Sequence, residues 1–233
     1  MAVELVRHAD AADWAQAIAA ELDERLAVQR RREGRARLLL SGGSTPAPAY
    51  AALAARRSDW THVEIGLVDE RWLDSGHPAS NARLVREQLA DHAPGASFAP
   101  LALDGRPLQA CVEAANLHAA GQPPACVAVL GMGGDGHTAS LFPGAAGLDA
   151  VLADTRQYAA LDATGCPVAG QWPLRITLTP AGLCRAESRM LLIRGQDKLE
   201  VLHRAEAGDD PRECPIRIAL RAPGPLLRVH WCP

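Results

Sequence analysis

Lysine is almost missing from this chain of 233 residues: Lys198 is the only one, and every other basic side chain is an arginine. With 24 Lys and Arg in all, an arginine had many chances to occupy position 198. Either one lysine survives there by chance, or the position needs the compact point charge that suits a phosphate. Long hydrophobic runs are missing too. No stretch approaches the roughly 20 apolar residues that span a bilayer, and Met1 to Arg7 read as a short apolar alternation and not as a signal peptide. The cytoplasm is therefore the expected compartment, with no membrane partner. An excess of one charge sign is also lacking: the net charge is -3, so no strong field favours nucleic acid. The six cysteines stand singly with no Cys-x-x-Cys pair, which argues against a zinc site or a dithiol redox site and for reduced, structural thiols. Repeats, low-complexity tails and linkers rich enough to part domains are absent, so one domain over 1–233 is expected.

What the chain does contain is ordinary for a globular protein, with 48% hydrophobic and 22% charged residues. Short apolar runs alternate with helical stretches, the pattern of an α/β fold with a mainly parallel sheet. Helices are expected over 10–33, from about 46 to Arg57, and over 81–90, 106–120, 180–186 and 196–207. Strands are expected at 38–40, 63–68, 126–130, 175–179, 190–194 and 226–231.

Four segments carry chemistry. Ser41-Gly42-Gly43-Ser44-Thr45-Pro46 follows a strand and opens a helix. The glycines admit close backbone approach, Ser44 and Thr45 supply hydroxyls, and Pro46 suits a first helical position. Free N–H groups and the helix dipole could then hold a phosphate, although a glycine-rich turn with a hydroxyl cap reads the same way. No Gly-Lys-Ser/Thr follows, so this is not a Walker loop. In the second segment, Asp69-Glu70-Arg71 end a strand, where side chains face the ligand crevice of an open α/β sheet. Arg71 could clamp a phosphate or a developing negative charge. His77, Ser80 and Asn81 follow in the same loop and singly read as ordinary polar loop residues.

The third segment, Gly131-Met132-Gly133-Gly134-Asp135-Gly136-His137-Thr138-Ala139-Ser140-Leu141-Phe142-Pro143, contains a Gly-x-Gly-x-x-Gly match. A dinucleotide fold would need a long helix after it, and Pro143 cuts that helix short. What remains is an imidazole on a glycine-dense turn with Asp135 two residues earlier, a setting that none of the other seven histidines shares. Histidine suits proton transfer at neutral pH, so His137 is the candidate base. The fourth segment, Arg194-Gly195-Gln196-Asp197-Lys198, puts Lys198 in a first helical turn, a poor place for a cation unless an anion is near. Arg175, opening its strand, is a further candidate anion contact.

Taken together and in this order, the segments resemble the 6-phosphogluconolactonase family over residues 35 to 205. The resemblance implies a Rossmann-like three-layer α/β/α fold shared with glucosamine-6-phosphate deaminases, and no metal or organic cofactor. It implies hydrolysis of 6-phospho-D-glucono-1,5-lactone to 6-phosphogluconate, the second step of the oxidative pentose phosphate pathway, by a protein expected to be monomeric. By the same resemblance Gly42, Gly43, Ser44 and Thr45 are the phosphate cradle with Lys198 as cationic partner. His137 is the base that activates water, and Arg71 helps to position the substrate and its developing charge. Asp69 and Asp135 would shape the site. One departure is Ala47, where the family often has a lysine; it is expected to face outward. The rival readings are a deaminase or isomerase, and a non-catalytic sugar-phosphate sensor. The deaminase branch has an acidic residue after the histidine turn, whereas here no carboxylate appears before Asp149.

Overall fold

The structure, a computed structural model, describes residues 3–56 and 58–233. Met1, Ala2 and Arg57, which touch the expected N-terminal alternation and the end of the second helix, lie outside the described residues.

The first helix shows how local chemistry sets the elements. Strand β1 (Val3–Arg7) leads to α1 (Ala11–Glu33). The Asp10 carboxylate caps the helix by accepting from the N–H groups of Ala12 and Asp13, each at 2.9 Å. At the other end Arg30, Arg31 and Arg32 sit in the last turn and Gly34 adopts φ 73°, a cation-rich end closed by a left-handed glycine. Trp14, Ile18, Leu22 and Leu26 are all buried, and their four-residue spacing puts them on the one face that meets the sheet.

β2 (Ala36–Leu40), α2 (Ala47–Ala54) and β3 (Val63–Leu67) follow, then a short β4 (Asp69–Arg71), α3 (Asn81–Gln88) and β5 (Ser97–Ala99). α4 (Leu108–Ala120), β6 (Val127–Leu130), α5 (Leu148–Leu152), β7 (Tyr158–Asp162) and β8 (Leu174–Leu178) come next. The chain finishes with α6 (Pro180–Cys184), β9 (Arg189–Arg194), α7 (Gln196–Glu206), α8 (Arg217–Leu220) and β10 (Leu227–Cys232).

Seven strands form one sheet in the order β1-β10-β9-β6-β2-β3-β5, and each neighbouring pair is parallel. This is the expected mainly parallel α/β sheet flanked by helices. From β1 through β2 and β3 to β5 the chain moves in one direction; after β5 it returns to β6 and continues to β9 and β10. Parallel crossovers are right-handed, so the reversal puts α1, α2 and α3 on one face and α4 and α7 on the other. α1 packs on α2 and α2 on α3, in agreement. The reversal lies between β2 and β6, and at such a point the loops beyond the strand ends part and leave a crevice.

Two expectations needed correction. Asp69, Glu70 and Arg71 do not prolong the parallel strand, and Arg175–Thr179 does not join that sheet. They form a second, antiparallel sheet, β4-β8-β7, in which Arg71 pairs with Arg175. The cause is local. Val68 donates to Leu40 and accepts from Leu178, so the chain leaves one sheet and enters the other within one residue. Strands β5 and β7 and the β1 alternation also lie beyond the strands expected. All six cysteines are unbridged. Among the described residues, no helix is long and apolar enough to cross a membrane.

Candidate active site

The crevice at the reversal holds a cavity of about 200 Å³, lined by the loops after β2, β6 and β9 and by the second sheet. Gly42, Gly43, Thr45, Asp69, Arg71, His137, Arg175 and Lys198 all line it. Two of the expected residues do not. Ser44 is exposed beside the cavity, and Asp135 stands behind His137, touching the cavity only through it.

The 41–46 loop presents an anion site built from backbone. None of the amide N–H groups of Gly42, Gly43, Ser44 and Thr45 has a protein acceptor among the described residues. Gly43 takes φ +90°, a conformation that turns successive N–H groups towards a common point. The loop is held from below, where the buried Tyr50 hydroxyl donates to the Ser41 carbonyl at 3.0 Å. Pro46 caps α2, which begins at Ala47, one residue later than expected. Ala47 is half-buried and lies outside the cavity lining. Gly42 is required for a separate reason: a Cβ there would lie 1.9 Å from Asn81 Oδ1.

The turn after β6 delivers the imidazole. His137 Nδ1 lies 2.6 Å from Asp135 Oδ1, and the same oxygen accepts the His137 backbone N–H at 3.1 Å. A carboxylate oxygen can only accept, so Nδ1 carries the hydrogen and Nε2 keeps its lone pair. Partial burial works against the charge on Asp135, but the hydrogen bond and the charge of His137 prevail and hold the carboxyl below its usual range. Room for the pair comes from Gly133, where a Cβ would lie 2.1 Å from His137 Nδ1. The Gly133 N–H itself donates to the His137 carbonyl and is spent on the turn. Beyond His137 the chain folds sharply: Ala139 has φ 49°, and Phe142 comes back to 4.7 Å from the imidazole centroid. No helix follows the glycines, which removes the dinucleotide reading.

The opposite wall is a buried polar lattice. Asp69 Oδ2 accepts from Ser140 Oγ at 2.6 Å, and Asp69 Oδ1 receives Asn81 Nδ2 at 3.3 Å. Asn81 Oδ1 in turn accepts from Arg71 Nη1 at 2.5 Å, and Ala79 O accepts from the same nitrogen at 3.1 Å. Glu70 points away from the cavity and takes four donors: the N–H groups of Arg71, Asn81 and Ala82, and the Ser80 hydroxyl. Burial pushes its carboxyl up against the pull of those bonds. Arg175 is fixed by the carbonyls of Trp172 and Ala169 at 2.8 and 2.9 Å, with its guanidinium 5.1 Å from the Phe142 ring. Burial lowers its pKa, with Asp69 opposing.

Asn81 and Ser80, which looked like ordinary loop polarity, are both buried and hold this lattice together. Ser140 was missed altogether, as was Arg194, which also lines the cavity. Ser140 lies inside the long glycine motif, so the signal was present; its partner, 71 residues away, was not readable. Among the described residues no group of three His, Cys, Asp or Glu side chains converges as a metal site would.

Residues 9–231 match the sequence family described as glucosamine-6-phosphate isomerases/6-phosphogluconolactonase. A 6-phosphogluconolactonase of Xylella fastidiosa is 52% identical over 230 residues, covering 99% of this chain and 96% of the relative. One from Pseudomonas aeruginosa is 40% identical over 227 residues, covering 96% and 92%. The crystal structure of a 6-phosphogluconolactonase from Shewanella baltica superposes with a TM-score of 0.92 at 33% identity, covering 99% and 98% of the two chains. The collinear motifs, the cavity at the sheet reversal and these likenesses agree: the chain belongs to the glucosamine-6-phosphate isomerase/6-phosphogluconolactonase family.

Proposed function

We propose that the protein is a single-domain, monomeric hydrolase that opens 6-phospho-D-glucono-1,5-lactone to 6-phosphogluconate without a metal or organic cofactor. One observation carries the reading. An imidazole with its Nδ1 tied to a carboxylate shares a cavity with a loop of unsatisfied amides and four cationic side chains. A base, an oxyanion stabiliser and a phosphate anchor are what lactone hydrolysis needs. Nothing in the cavity supplies the extra carboxylate that the deaminase reading asks of the stretch after His137.

The substrate phosphate sits on the amides of Gly42, Gly43, Ser44 and Thr45 and on Lys198. His137 Nε2 takes a proton from a water molecule, whose oxygen attacks the lactone carbonyl carbon. Asp135 steadies the imidazolium that forms. Arg71, with Arg175 beside it across the β4–β8 pair, faces the charge that develops on the carbonyl oxygen. Collapse of the tetrahedral intermediate breaks the bond to the ring oxygen, and His137 returns its proton to that oxygen. The new carboxylic acid then ionises. Asp69 holds the wall through Asn81 and Ser140. Tyr158, from the small sheet, donates to the Leu67 carbonyl in the large one at 2.9 Å, which supports treating both sheets as one domain. Six unbridged cysteines fit a cytoplasmic setting.

The decisive experiment follows acid release from freshly made 6-phosphogluconolactone above its spontaneous hydrolysis, with glucosamine 6-phosphate in parallel. Acid release without ammonia release is expected. Ammonia release from the amino sugar would reassign the enzyme to the deaminase branch, and binding without turnover of either substrate would make it a sensor.

A further inference from the structure

The four cations of the cavity fall into two kinds. Arg71 and Arg175 are each anchored by hydrogen bonds to protein oxygens. Arg194 and Lys198 make no hydrogen bond or ion pair among the described residues, yet both line the cavity. Arg194 stands apart from Lys198 in that its Nε is buried with no hydrogen-bond partner among the described residues. Its contact is with an apolar ring: the guanidinium carbon lies 5.9 Å from the centroid of Trp14. The indole face attracts the guanidinium but offers its N–H groups no hydrogen-bond acceptor, and a buried donor left unsatisfied is costly unless something else completes it. Because Arg194 lines the cavity, an anion bound there would complete it.

The position of Arg194 says which anion. It is the last residue of β9, so it stands at the carboxyl end of the sheet. Trp14 belongs to α1, which lies beside α2 on the face served by the 41–46 loop. Arg194, with Trp14 beside it, therefore lines the same cavity as Gly42, Gly43 and Thr45 of that loop. Lys198, four residues later, reaches the same cavity over the next loop, with its Nζ 3.8 Å from where a Cβ on Gly134 would be. Arg71 and Arg175 lie on the other wall, where Arg175 covers the Phe142 ring beside His137. The cations thus come from two places, Arg71 and Arg175 from the second sheet and Arg194 and Lys198 from the end of β9 and the start of α7.

We infer that Arg194 is a second cation of the phosphate site and sets the preference for phosphorylated over unphosphorylated lactones. A guanidinium offers two parallel N–H donors to a phosphate, which a lysine cannot do. Lys198 then supplies charge and Arg194 supplies orientation. The choice of lactone rests on the hydrolase reading above, but the choice of phosphate as ligand does not.

The test compares the wild type with Arg194→Met and Arg194→Lys. The measured quantity is the ratio of kcat/KM on 6-phosphogluconolactone to kcat/KM on unphosphorylated glucono-1,5-lactone. Calorimetric binding of inorganic phosphate is measured alongside. Losing a charge-assisted hydrogen bond should lower the ratio for Arg194→Met roughly 10- to 100-fold. The Kd for phosphate should rise by a similar factor, with Arg194→Lys intermediate in both. An unaltered ratio and phosphate affinity, or an equal loss on both substrates, would overturn the assignment. If the wild type hydrolyses neither lactone while phosphate binding still depends on position 194, the phosphate site stands and the hydrolase reading fails alone.

Discussion

Asp135 decides which nitrogen of His137 faces the cavity, and this makes two residues one device. Removing the imidazole in His137→Ala should cost about 10² to 10⁴ in kcat, the usual contribution of a positioned base. Asp135→Asn keeps the shape but removes the charge that steadies the imidazolium, and a loss of about 10² to 10⁴ is expected there too. Because the second group acts only through the first, the double variant should be little worse than His137→Ala alone. Losses that multiply would show that Asp135 acts independently of His137. Gly133 belongs to the same device. A methyl group 2.1 Å from His137 Nδ1 must displace either the ring or the carboxylate, so Gly133→Ala should lower kcat about as far as Asp135→Asn. Full activity in Gly133→Ala would mean that the Asp135–His137 bond is dispensable.

At the scale of elements, the buried Glu70 carboxylate joins the wall that carries Arg71 to the N-terminus of α3, beside the Asn81 contacts with Asp69 and Arg71. Glu70 Oε1 receives the N–H groups of Arg71 and Asn81, and Oε2 receives Ser80 Oγ and the Ala82 N–H. A glutamine at this position must turn its amide nitrogen towards a backbone N–H in either orientation. Glu70→Gln should therefore cost about 2 to 3 kcal/mol, the loss of one or two buried acceptors, and lower Tm by roughly 4 to 12 °C. Thermal denaturation measures this directly, and a Tm within about a degree of wild type would remove Glu70 from its role. The same wall shows what could be read from sequence. The 41–46 and 131–143 segments announced themselves because their chemistry is local, a glycine turn with its own hydroxyls, amides and imidazole. Asn81, Ser140 and Arg194 did not, because their roles depend on partners brought in by other elements. β4 and β8 were mistaken for parts of the large sheet because three-residue pairing and a one-residue switch between sheets leave no periodicity to read.

Across the whole molecule, the edge of the sheet opposite β5 is closed by ionisable groups that tie β1 and β10 to α1. Glu21, on α1, meets Arg25 at 2.6 Å, Arg228 at 3.0 Å and His230 Nε2 at 3.2 Å. His8, on the β1 side, stacks on His230 with their ring nitrogens 3.0 Å apart, and Asp13 stands 3.4 Å from its other nitrogen. Burial opposes the charge on Glu21, but the contacts with His230 and Arg25 outweigh it and bring the carboxyl from 4.5 to about 2. Burial, reinforced by the charge of His230, moves His8 below 6.5 despite Asp13. Both groups are depressed on folding, so each favours the folded state above its unfolded pKa and loses that advantage as the pH falls. His8 acts first, with stability declining once the pH drops below 6.5. Glu21 acts later, over the window from 4.5 down to about 2. Tm measured against pH should therefore fall in two stages in the wild type. In Glu21→Gln the second stage should flatten, so that the Tm gap between the two proteins is widest near neutral pH and narrows steadily below pH 4.5. A gap of constant width from neutrality into the acid range would mean that Glu21 contributes packing alone, and that the ionic closure of this edge plays no part in acid sensitivity.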